Sequence, residues 1–432
     1  MQAKLSGREE QALAVRPTNN PEAYDAYLRG VAFEAHSGAT IYNEDWDLQE
    51  KAAGFYERAV QLDPNFAIAW ARLSRMDTAL YSNSVAHPTA RGDAAKRALE
   101  TAQKLDPNSP ETLLSLSYYQ WAVLHDFGPS KILLERVRNM WPGNSEVYWV
   151  FGKVARGEGR WDQSIAYYEQ CLTLDPRNVG FLMDAAWTYT MLRRFPDALR
   201  LYDRALDILP NSLEIMAAKA NIYQAQGRLQ EAAKLLSGVK EYAPGGGIKF
   251  FQLRLERNYS EAIRTGQARL AHPFASEFEK ATAQYDVAHM QFLAGDKTGA
   301  KATAKQARDI LEQLSKDHPD DWRFAEKLSQ VCAIMGDKDS ALSGAQRAIV
   351  LGGPRTLNAY LAAGMEENMA FVQMIVGDKR QAISILTRLL KTPYDSRFYG
   401  GPSTLALLRI DPLWDPLRAD PDFQKLCQEK QP

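Results

Sequence analysis

The sequence predicts an all-α protein, a solenoid of about ten helical hairpins that ends in a carboxy-terminal helical cap. Two observations carry this prediction. One pattern of small, bulky, small and proline residues recurs five times with fixed internal spacing along the 432 residues, and its last three copies lie about 34 residues apart. Glycines stand in turns between the helices that this pattern pairs. A fixed period of this length is typical of helix–turn–helix repeats.

The recurring pattern places a bulky residue four positions after a small one, a second small residue three positions further, and a proline five positions after that. Spacings of four and three put the first three residues on one helix face, where small side chains allow close approach and the bulky one fills the gap. The proline ends that helix and helps to start the next. The copies are Ala52, Tyr56, Ala59, Pro64; Ala95, Leu99, Ala102, Pro107; Ser164, Tyr168, Cys171, Pro176; Ala198, Tyr202, Ala205, Pro210; and Ala232, Leu236, Val239, Pro244.

A second helix precedes each copy, and it is clearest from Ser145 to Gly157. Gly159 and Gly227 fall in the turns between paired helices, where glycine adopts a positive φ at low cost. Each unit is therefore a helix, a short turn and a helix. The inward stripe of the helix from Ser145 is Tyr148, Phe151, Gly152 and Ala155.

These residues resemble the tetratricopeptide repeat, in which a first helix with a small residue at its eighth position precedes a second helix with the alanine, aromatic, alanine and proline series. The resemblance implies a right-handed superhelix of such hairpins. Three segments match without gaps: Ser145 to Asn178, Val179 to Ser212 and Leu213 to Gly246. Pro21 to Phe66 and Ala67 to Ser109 match with insertions around His36 to Asp45 and Tyr81 to Thr89, and Pro110 to Asn144 is a degenerate copy.

The carboxy-terminal part contains looser copies. From Ser276 on, the turns read Gly-Asp-Lys at Gly295, Gly336 and Gly377, and each turn is followed by a small residue at Ala300, Ala341 or Ala382. A short hairpin near Ile248 to Pro273 precedes them. We interpret Gly245-Gly246-Gly247 as a hinge or a break in the superhelix.

This organisation predicts four regions: residues 1–20 as a linker tail, 21–246 as the amino-terminal repeat array, 247–392 as a looser array and 393–432 as a helical cap. A solenoid needs a cap because its last repeat otherwise exposes an apolar face. We expect short closing helices at Ser403 to Leu408 and Asp422 to Gln428. The side chains expected to cover the last hairpin are Trp414, Leu417 and Phe423.

The two ends carry a narrower resemblance, to the repeat region of bacterial signalling proteins. Arg16 to Gly30 and Asp411 to Phe423 look like the ends of regions that follow a TolB-like domain and are fused to class III cyclases, protein kinases or winged-helix regulators. The resemblance implies that the chain is a carboxy-terminal fragment or a shortened relative. It leaves a cytoplasmic or a periplasmic location open, because such regions often follow a membrane anchor.

Composition argues against several classes of function. A net charge of -1 argues against nucleic-acid binding, since that surface normally carries a basic excess. The three cysteines are widely spaced, and without a CxxC pair or a His/Cys cluster we expect neither a disulfide framework nor a metal site. No apolar stretch is long enough to cross a bilayer, so we expect no membrane insertion by this segment. No cofactor is expected.

The sequence also argues against an enzymatic function. Asp126-Phe127-Gly128 spells the kinase magnesium motif, but the glycine-rich loop, the strand lysine and the catalytic loop are missing. The histidines are scattered, and Cys171 occupies a small-residue position in a helix, where a buried, inert thiol is expected. Glu366 and Glu367 are adjacent along a helix and so do not face one cavity together. We predict no catalytic residue.

The family geometry places five positions of each first helix on the concave face. Aromatic rings with two cations and an amide pair suit a peptide-binding strip, because Trp and Arg supply much of the energy of binding hot spots. The alternative is that these side chains pack between neighbouring helices. Lys153 and Asn221 fit a chaperone carboxylate clamp, but its other positions do not line up. The candidate residues are Tyr118, Trp121, Trp149, Lys153, Arg156, Met183, Trp187, Thr190, Met191, Asn221 and Gln224.

The sequence therefore favours a protein-binding scaffold that takes a peptide or partner protein in its concave groove, as the regulatory or sensing arm of a bacterial signalling protein. The alternative is a self-association module that forms a homo-oligomer and has no separate ligand. The sequence does not identify the partner.

Overall fold

The computed structural model of the chain describes residues 17–37, 45–83, 89–239, 246–274, 276–353, 358–398 and 400–429. Within these ranges all regular structure is helical and no strand occurs, which confirms the predicted all-α class. No helix in the same ranges combines the length and the apolar content that crossing a membrane requires. The insertions predicted around His36 to Asp45 and Tyr81 to Thr89 fall largely outside the described residues.

Twenty helices of the described residues pair consecutively into ten hairpins, in agreement with the predicted number. The first five hairpins are α1 (Pro21–Ser37) with α2 (Asp45–Leu62), α3 (Ala67–Asn83) with α4 (Thr89–Leu105), α5 (Pro110–Ala122) with α6 (Phe127–Met140), α7 (Ser145–Gly157) with α8 (Trp161–Leu174), and α9 (Val179–Met191) with α10 (Phe195–Ile208). The other five are α11 (Leu213–Ala225) with α12 (Leu229–Leu236), α13 (Gly246–Leu255) with α14 (Tyr259–Leu270), α15 (Glu277–Leu293) with α16 (Lys297–Asp317), α17 (Trp322–Met335) with α18 (Lys338–Leu351), and α19 (Ala359–Val376) with α20 (Lys379–Leu389).

The small and bulky positions of the second helices lie in the core, as their spacing predicts. In α10, Ala198, Tyr202 and Ala205 are all buried. The reason for small residues in the partner helix is visible in the first hairpin, where a Cβ added to Gly30 would lie 2.6 Å from the ring of Tyr56. A side chain at that position would push the two helices apart.

The turns within the hairpins use the left-handed backbone conformation. Gly159 and Gly227 have φ values of 74° and 75°, as their positions predict. In the fifth and seventh hairpins the same turn is made by arginines, since Arg193 and Arg257 have φ values of 58° and 57°. A side chain in this region of backbone conformation costs about 1 kcal/mol or more, so each arginine needs a compensating contact.

By their contacts, the described residues form two compact units, one that ends at Val154 and one that begins at Ala155. The first unit has a core around Tyr56 and Phe66. The second has one around Tyr285 and Leu311.

The carboxy-terminal end of the second unit departs from the expected cap. It consists of α21 (Leu405–Ile410), a 3-10 helix (Pro412–Leu417) and α22 (Pro421–Gln428), and Trp414, Leu417 and Phe423 are buried. α22 contacts α20 of the last hairpin, as a cap should, but α21 lies against α11 of the sixth hairpin. The physical reason is that α21 has its own apolar face, with Leu405, Leu407 and Leu408 buried. The end of the chain therefore packs inside the second unit as well as on its last repeat.

Candidate functional site

The candidate residues divide between the two units, and each group is described by itself. Tyr118, Trp121, Trp149 and Lys153 belong to the first unit. The second unit holds Arg156, Met183, Trp187, Thr190, Met191, Asn221 and Gln224.

The four residues of the first unit form one cluster, which we call the aromatic patch. The Tyr118 ring meets that of Trp121 edge-on at 5.3 Å between centroids and lies 6.0 Å from that of Trp149. The Lys153 ammonium stands 4.3 Å from the centroid of Trp149 and 5.6 Å from that of Trp121. Tyr118 is buried, whereas Trp121, Trp149 and Lys153 are half-buried. The patch therefore offers two indole rings and a cation to solvent.

A charged cluster in the first unit was not anticipated from the sequence. Arg75 of α3 is buried, and its guanidinium pairs with Glu34 of α1 at 2.5 Å and with Glu146 of α7 at 2.6 Å. Burial raises the pKa of Glu34, but Arg72 and Arg75 outweigh it and bring the pKa to about 2. The carboxylate stays charged, so the cluster links α1, α3 and α7 within the first unit.

In the second unit, Arg156 and Trp187 belong to an interior network. Arg156 is buried and donates from Nη2 to Asp184 Oδ1 at 3.1 Å and from Nη1 to Thr188 Oγ1 at 3.0 Å. Its guanidinium carbon lies 4.3 Å from the centroid of the Trp187 ring. That indole, which is half-buried, meets the ring of Tyr360 of α19 edge-on at 5.3 Å. Trp187 therefore packs between a cation and a tyrosine of the same unit.

The other candidates of the second unit are buried, and the polar ones bond within the chain. Met183 and Met191 are buried, and Thr190 Oγ1 donates to the Ala186 carbonyl at 2.9 Å. Asn221 Nδ2 donates to Gln224 Oε1 at 3.3 Å, and Gln224 Nε2 donates to the Ile248 carbonyl at 3.1 Å. The described structure thus places these groups in contacts inside the unit.

The non-helical residues 393–398 and 400–404, which we call the inner segment, cover the same face. A Cβ added to Gly401 would lie 3.1 Å from Asn221 Oδ1 and 3.4 Å from Thr190 Cγ2. On the opposite side, a Cβ added to Gly364 of α19 would lie 2.5 Å from the Asp395 carbonyl oxygen. The inner segment runs between α9, α11 and α19 at van der Waals distance. We call the helix surface it covers the inner face.

Glu367 of α19 is the main anchor of the inner segment. Its buried carboxylate accepts hydrogen bonds from Tyr394 Oη at 2.8 Å and from the Arg397 backbone N–H at 3.1 Å. It also accepts from the hydroxyls of Ser396 and Ser403. Burial raises the pKa of Glu367, and these four donors act in the opposite direction. One carboxylate thus binds both ends of the inner segment.

Arg193 is the second anchor, and it donates hydrogen bonds to main-chain carbonyl oxygens. Its guanidinium donates to the carbonyls of Leu389 at 2.9 Å, Thr392 at 3.0 Å and Ser403 at 3.0 and 3.1 Å. Burial lowers the pKa of Arg193. These bonds supply the compensation that its left-handed backbone requires.

Three further arginines hold the inner segment and the residues that follow it. Arg397, within the inner segment, donates to both carboxylate oxygens of Glu326 at 2.7 to 3.0 Å. Arg254 pairs with Asp411 at 3.0 Å, and Arg257 forms a two-pronged pair with Asp415 at 2.6 and 2.8 Å. The signal that sequence reasoning missed is an arginine at Arg193 and Arg257, at the turn position that carries glycine in the fourth and sixth hairpins.

Comparison with known proteins gives likenesses of low identity. U-box domain-containing protein 70 of Oryza sativa subsp. japonica is 25% identical over 233 residues, which is 53% of this chain, and the chain spans only 27% of that protein's length. The solved PilW, described as a widely conserved type IV pilus biogenesis factor, has 15% identity and a TM-score of 0.39 over 52% of this chain and 97% of that one. The human IFIT1 dimer with PPP-AAAA has 13% identity and a TM-score of 0.41, over 71% and 69%.

The family comparison is more specific, because it falls on the segment in which the repeat pattern is regular. Residues 150–213 and 191–254 each match the tetratricopeptide repeat family. This segment contains the hairpins α9–α10 and α11–α12 with their buried small residues and their turns at Arg193 and Gly227. The segment from residue 150 to residue 254 is therefore similar to tetratricopeptide repeats in both its sequence and its hairpins.

Proposed function

We propose that this chain is a protein-binding scaffold and that its recognition surface is the aromatic patch of the first unit. Tetratricopeptide repeats suggest a scaffold in general terms. The observation that carries the proposal is the half-burial of Trp121 and Trp149 beside the Lys153 ammonium. Large aromatic side chains that are held in place yet still accessible are typical binding hot spots.

The second unit is a less favourable binding site for a partner. Its inner face holds Thr190 and Asn221, and the inner segment of the same chain already lies on it. A partner would have to displace the bonds made by Arg193 and Glu367 before it touched those residues. Among the described residues of the first unit, Trp121, Trp149 and Lys153 remain half-exposed.

The patch indicates the chemistry of its ligand. Two indole rings at this spacing favour an apolar or aromatic side chain, whose burial between them supplies the binding energy. The ammonium of Lys153 adds a preference for a carboxylate at the edge, which acts mainly on the association rate. An extended peptide with adjacent apolar and acidic residues fits these groups.

As part of the same proposal, the chain is the regulatory or sensing arm of a bacterial signalling protein. The support is the resemblance of residues 16–30 and 411–423 to the ends of such arms. The division into a linker tail, two arrays at 21–246 and 247–392, and a cap belongs to this proposal. It assigns no reaction to the chain.

The test starts with the full chain as bait in a lysate of its native host, followed by mass spectrometry and calorimetry with each purified partner. We expect Trp149→Ala to weaken binding by about 2 kcal/mol or more. The matched control is Ile132→Ala, also in the first unit, whose side chain is 67% exposed and should change the affinity by only a few tenths of a kcal/mol. Equal affinities for the wild type and Trp149→Ala would refute the patch as the site.

Self-association is the competing outcome of the same experiment. Light scattering on the wild type and on Trp149→Ala distinguishes it. A homo-oligomer that dissociates in the variant, with no captured partner, would assign the patch to contacts between copies of this chain.

A further inference from the structure

We infer that two copies of this chain associate through the outer side of the first hairpin. This side, which we call the end face, is the groove between α1 and α2 that Glu22, Ala26, Phe55, Arg58 and Leu62 line. The groove is occupied by the end face of the second copy, and a twofold axis relates the two chains. This inference goes beyond the proposed function, because the end face shares no residue with the aromatic patch.

The end face is the side of the first hairpin that points away from the second hairpin. The helical period places Ala53 and Val60 on one side of α2, where they are buried in the core that α3 shares. It places Phe55, Arg58 and Leu62 on the opposite side, and no described helix precedes α1 there. The outer side of a terminal repeat in a solenoid is normally polar. An apolar groove in this place is therefore a surface on which another hairpin can stack.

The floor of the groove is apolar, and its rings are already held in place. The rings of Phe33 and Phe55 stack with 5.3 Å between their centroids and an angle of 11° between their planes. Both side chains, like that of Leu62, are half-buried, so part of each still faces solvent. A second apolar surface would remove this area from water, and the stacked rings would lose little further freedom.

Two opposite charges at the edges of the groove favour a second copy as the occupant. Glu22 of α1 and Arg58 of α2 are exposed, and neither has an ion-pair partner among the described residues. The other two charges that line the groove, Asp25 and Arg29, pair with each other at 3.0 Å. One edge therefore carries an unpaired acid and the other edge an unpaired base.

A twofold axis parallel to the helices lays α1 of each copy over α2 of the other. In this arrangement Glu22 of one copy comes within reach of Arg58 of the other, and the same pair forms a second time by symmetry. The end face is thus its own electrostatic complement, which directs two copies into this register.

Sedimentation equilibrium on the full-length protein tests the dimer, over about 1 to 100 μM, the range of weak and transient interfaces. We expect the wild type to dimerise reversibly. Glu22→Arg and Arg58→Glu should each weaken the dimer at least tenfold, because each places like charges opposite one another. Both side chains are exposed, so the variants should fold, and circular dichroism checks this. The matched control is Lys104→Glu, which reverses an exposed charge of α4 outside the end face and should leave the dimer unchanged.

A mixture of the two weakened variants gives the sharper test. Glu22→Arg has a base at both edges of the groove and Arg58→Glu has an acid at both, so every crossed pair between them is attractive. We expect labelled Glu22→Arg to bind Arg58→Glu at least tenfold more tightly than it binds unlabelled Glu22→Arg. Occupation of the groove by another protein, or by residues 1–16 of the same chain, predicts no such recovery.

Three results would overturn the inference. One is a wild type that stays monomeric over the whole concentration range. Another is a dimer that neither charge reversal weakens, which would place the contact on another surface. The third is equal affinity of labelled Glu22→Arg for the two variants. Trp149→Ala should keep the dimer while it loses the partner, so failure of the end face and failure of the aromatic patch give different results.

Discussion

The guanidinium of Arg193 donates two hydrogen bonds to the carbonyl oxygen of Ser403, which lies 210 positions later in the chain. This contact joins the turn of the fifth hairpin to the last residues before α21. A linear array of repeats has contacts only between neighbours. The second unit instead closes on itself, and this closure determines how substitutions in it should behave.

Tyr202→Ala should destabilise the chain by about 3 to 5 kcal/mol, because it leaves a cavity between the helices of the fifth hairpin. The ring is buried beside Ala198 in the core. Ala198→Leu should cost about 1 to 3 kcal/mol through overpacking of the same contact. Denaturant titration followed by circular dichroism measures both. Neutral results for the two variants would show that the assigned helix register is wrong.

Trp187→Ala should lower the free energy of unfolding by about 3 kcal/mol, since the ring fills the space between Arg156 and Tyr360. Trp149→Ala, in the first unit, serves as the comparison and should cost clearly less in stability and more in partner affinity. Thermal melting and calorimetry on both variants provide the measurement. The interpretation fails if Trp187→Ala melts like the wild type.

Gly364→Ala should destabilise the second unit by about 1 to 3 kcal/mol. The new methyl group would stand 2.5 Å from the Asp395 carbonyl oxygen and 3.0 Å from Arg397 Cδ, so the inner segment would have to move. Gly54→Ala is the matched control, because it is also inside a helix but has no atom within 4 Å of the added Cβ. It should stabilise by about 0.5 to 1 kcal/mol. Opposite signs in denaturant titrations are the expected result, and a gain in stability for both would contradict the close packing.

The burial of His289 predicts that the free energy of unfolding falls in acid. The ring is buried beside Tyr285 and Phe371, and burial followed by the nearby cations Arg254 and Lys327 lowers its pKa well below 6.5. Below pH 6.5 the unfolded chain takes up a proton that the folded chain does not, so stability contributed at neutral pH is lost as the pH falls.

The test compares the wild type with His289→Gln, which does not titrate. Between pH 7.5 and pH 5, we expect the wild type to lose unfolding free energy relative to the variant, with a limiting slope of about 1.4 kcal/mol per pH unit below pH 6.5. The difference between the two proteins isolates this group from other titrating residues. A difference that stays constant with pH would show that the pKa of His289 is the same in the folded and the unfolded chain.

Local sequence patterns were enough to predict the hairpins. The spacing of Ala198, Tyr202 and Ala205 places them on one helix face, and the turn at Gly227 is visible as a glycine between two helical periods. Both signals lie within a few residues of the structure that they specify. The helix register and the turns were therefore predictable.

The interior of the second unit was not predictable in the same way. Glu367 stands next to Glu366 in the sequence, and nothing local shows that Tyr394, Ser396 and Ser403 come to bind it. Such contacts depend on closure of the chain over long separations. The candidate strip followed the geometry of an open array, in which no segment of the chain lies on residues such as Asn221.

The closure of the second unit also has consequences for folding during synthesis and for nonsense mutations. Arg193 leaves the ribosome long before Leu389, Thr392 and Ser403, the three residues whose carbonyls accept its hydrogen bonds. Until they emerge, the fifth hairpin carries a strained turn and a cation without its native acceptors, although amino-terminal domains generally fold first during synthesis. A stop codon shortly before Leu389 should therefore harm a hairpin translated much earlier, so nonsense alleles at that position should be as poorly tolerated as those within the fifth hairpin.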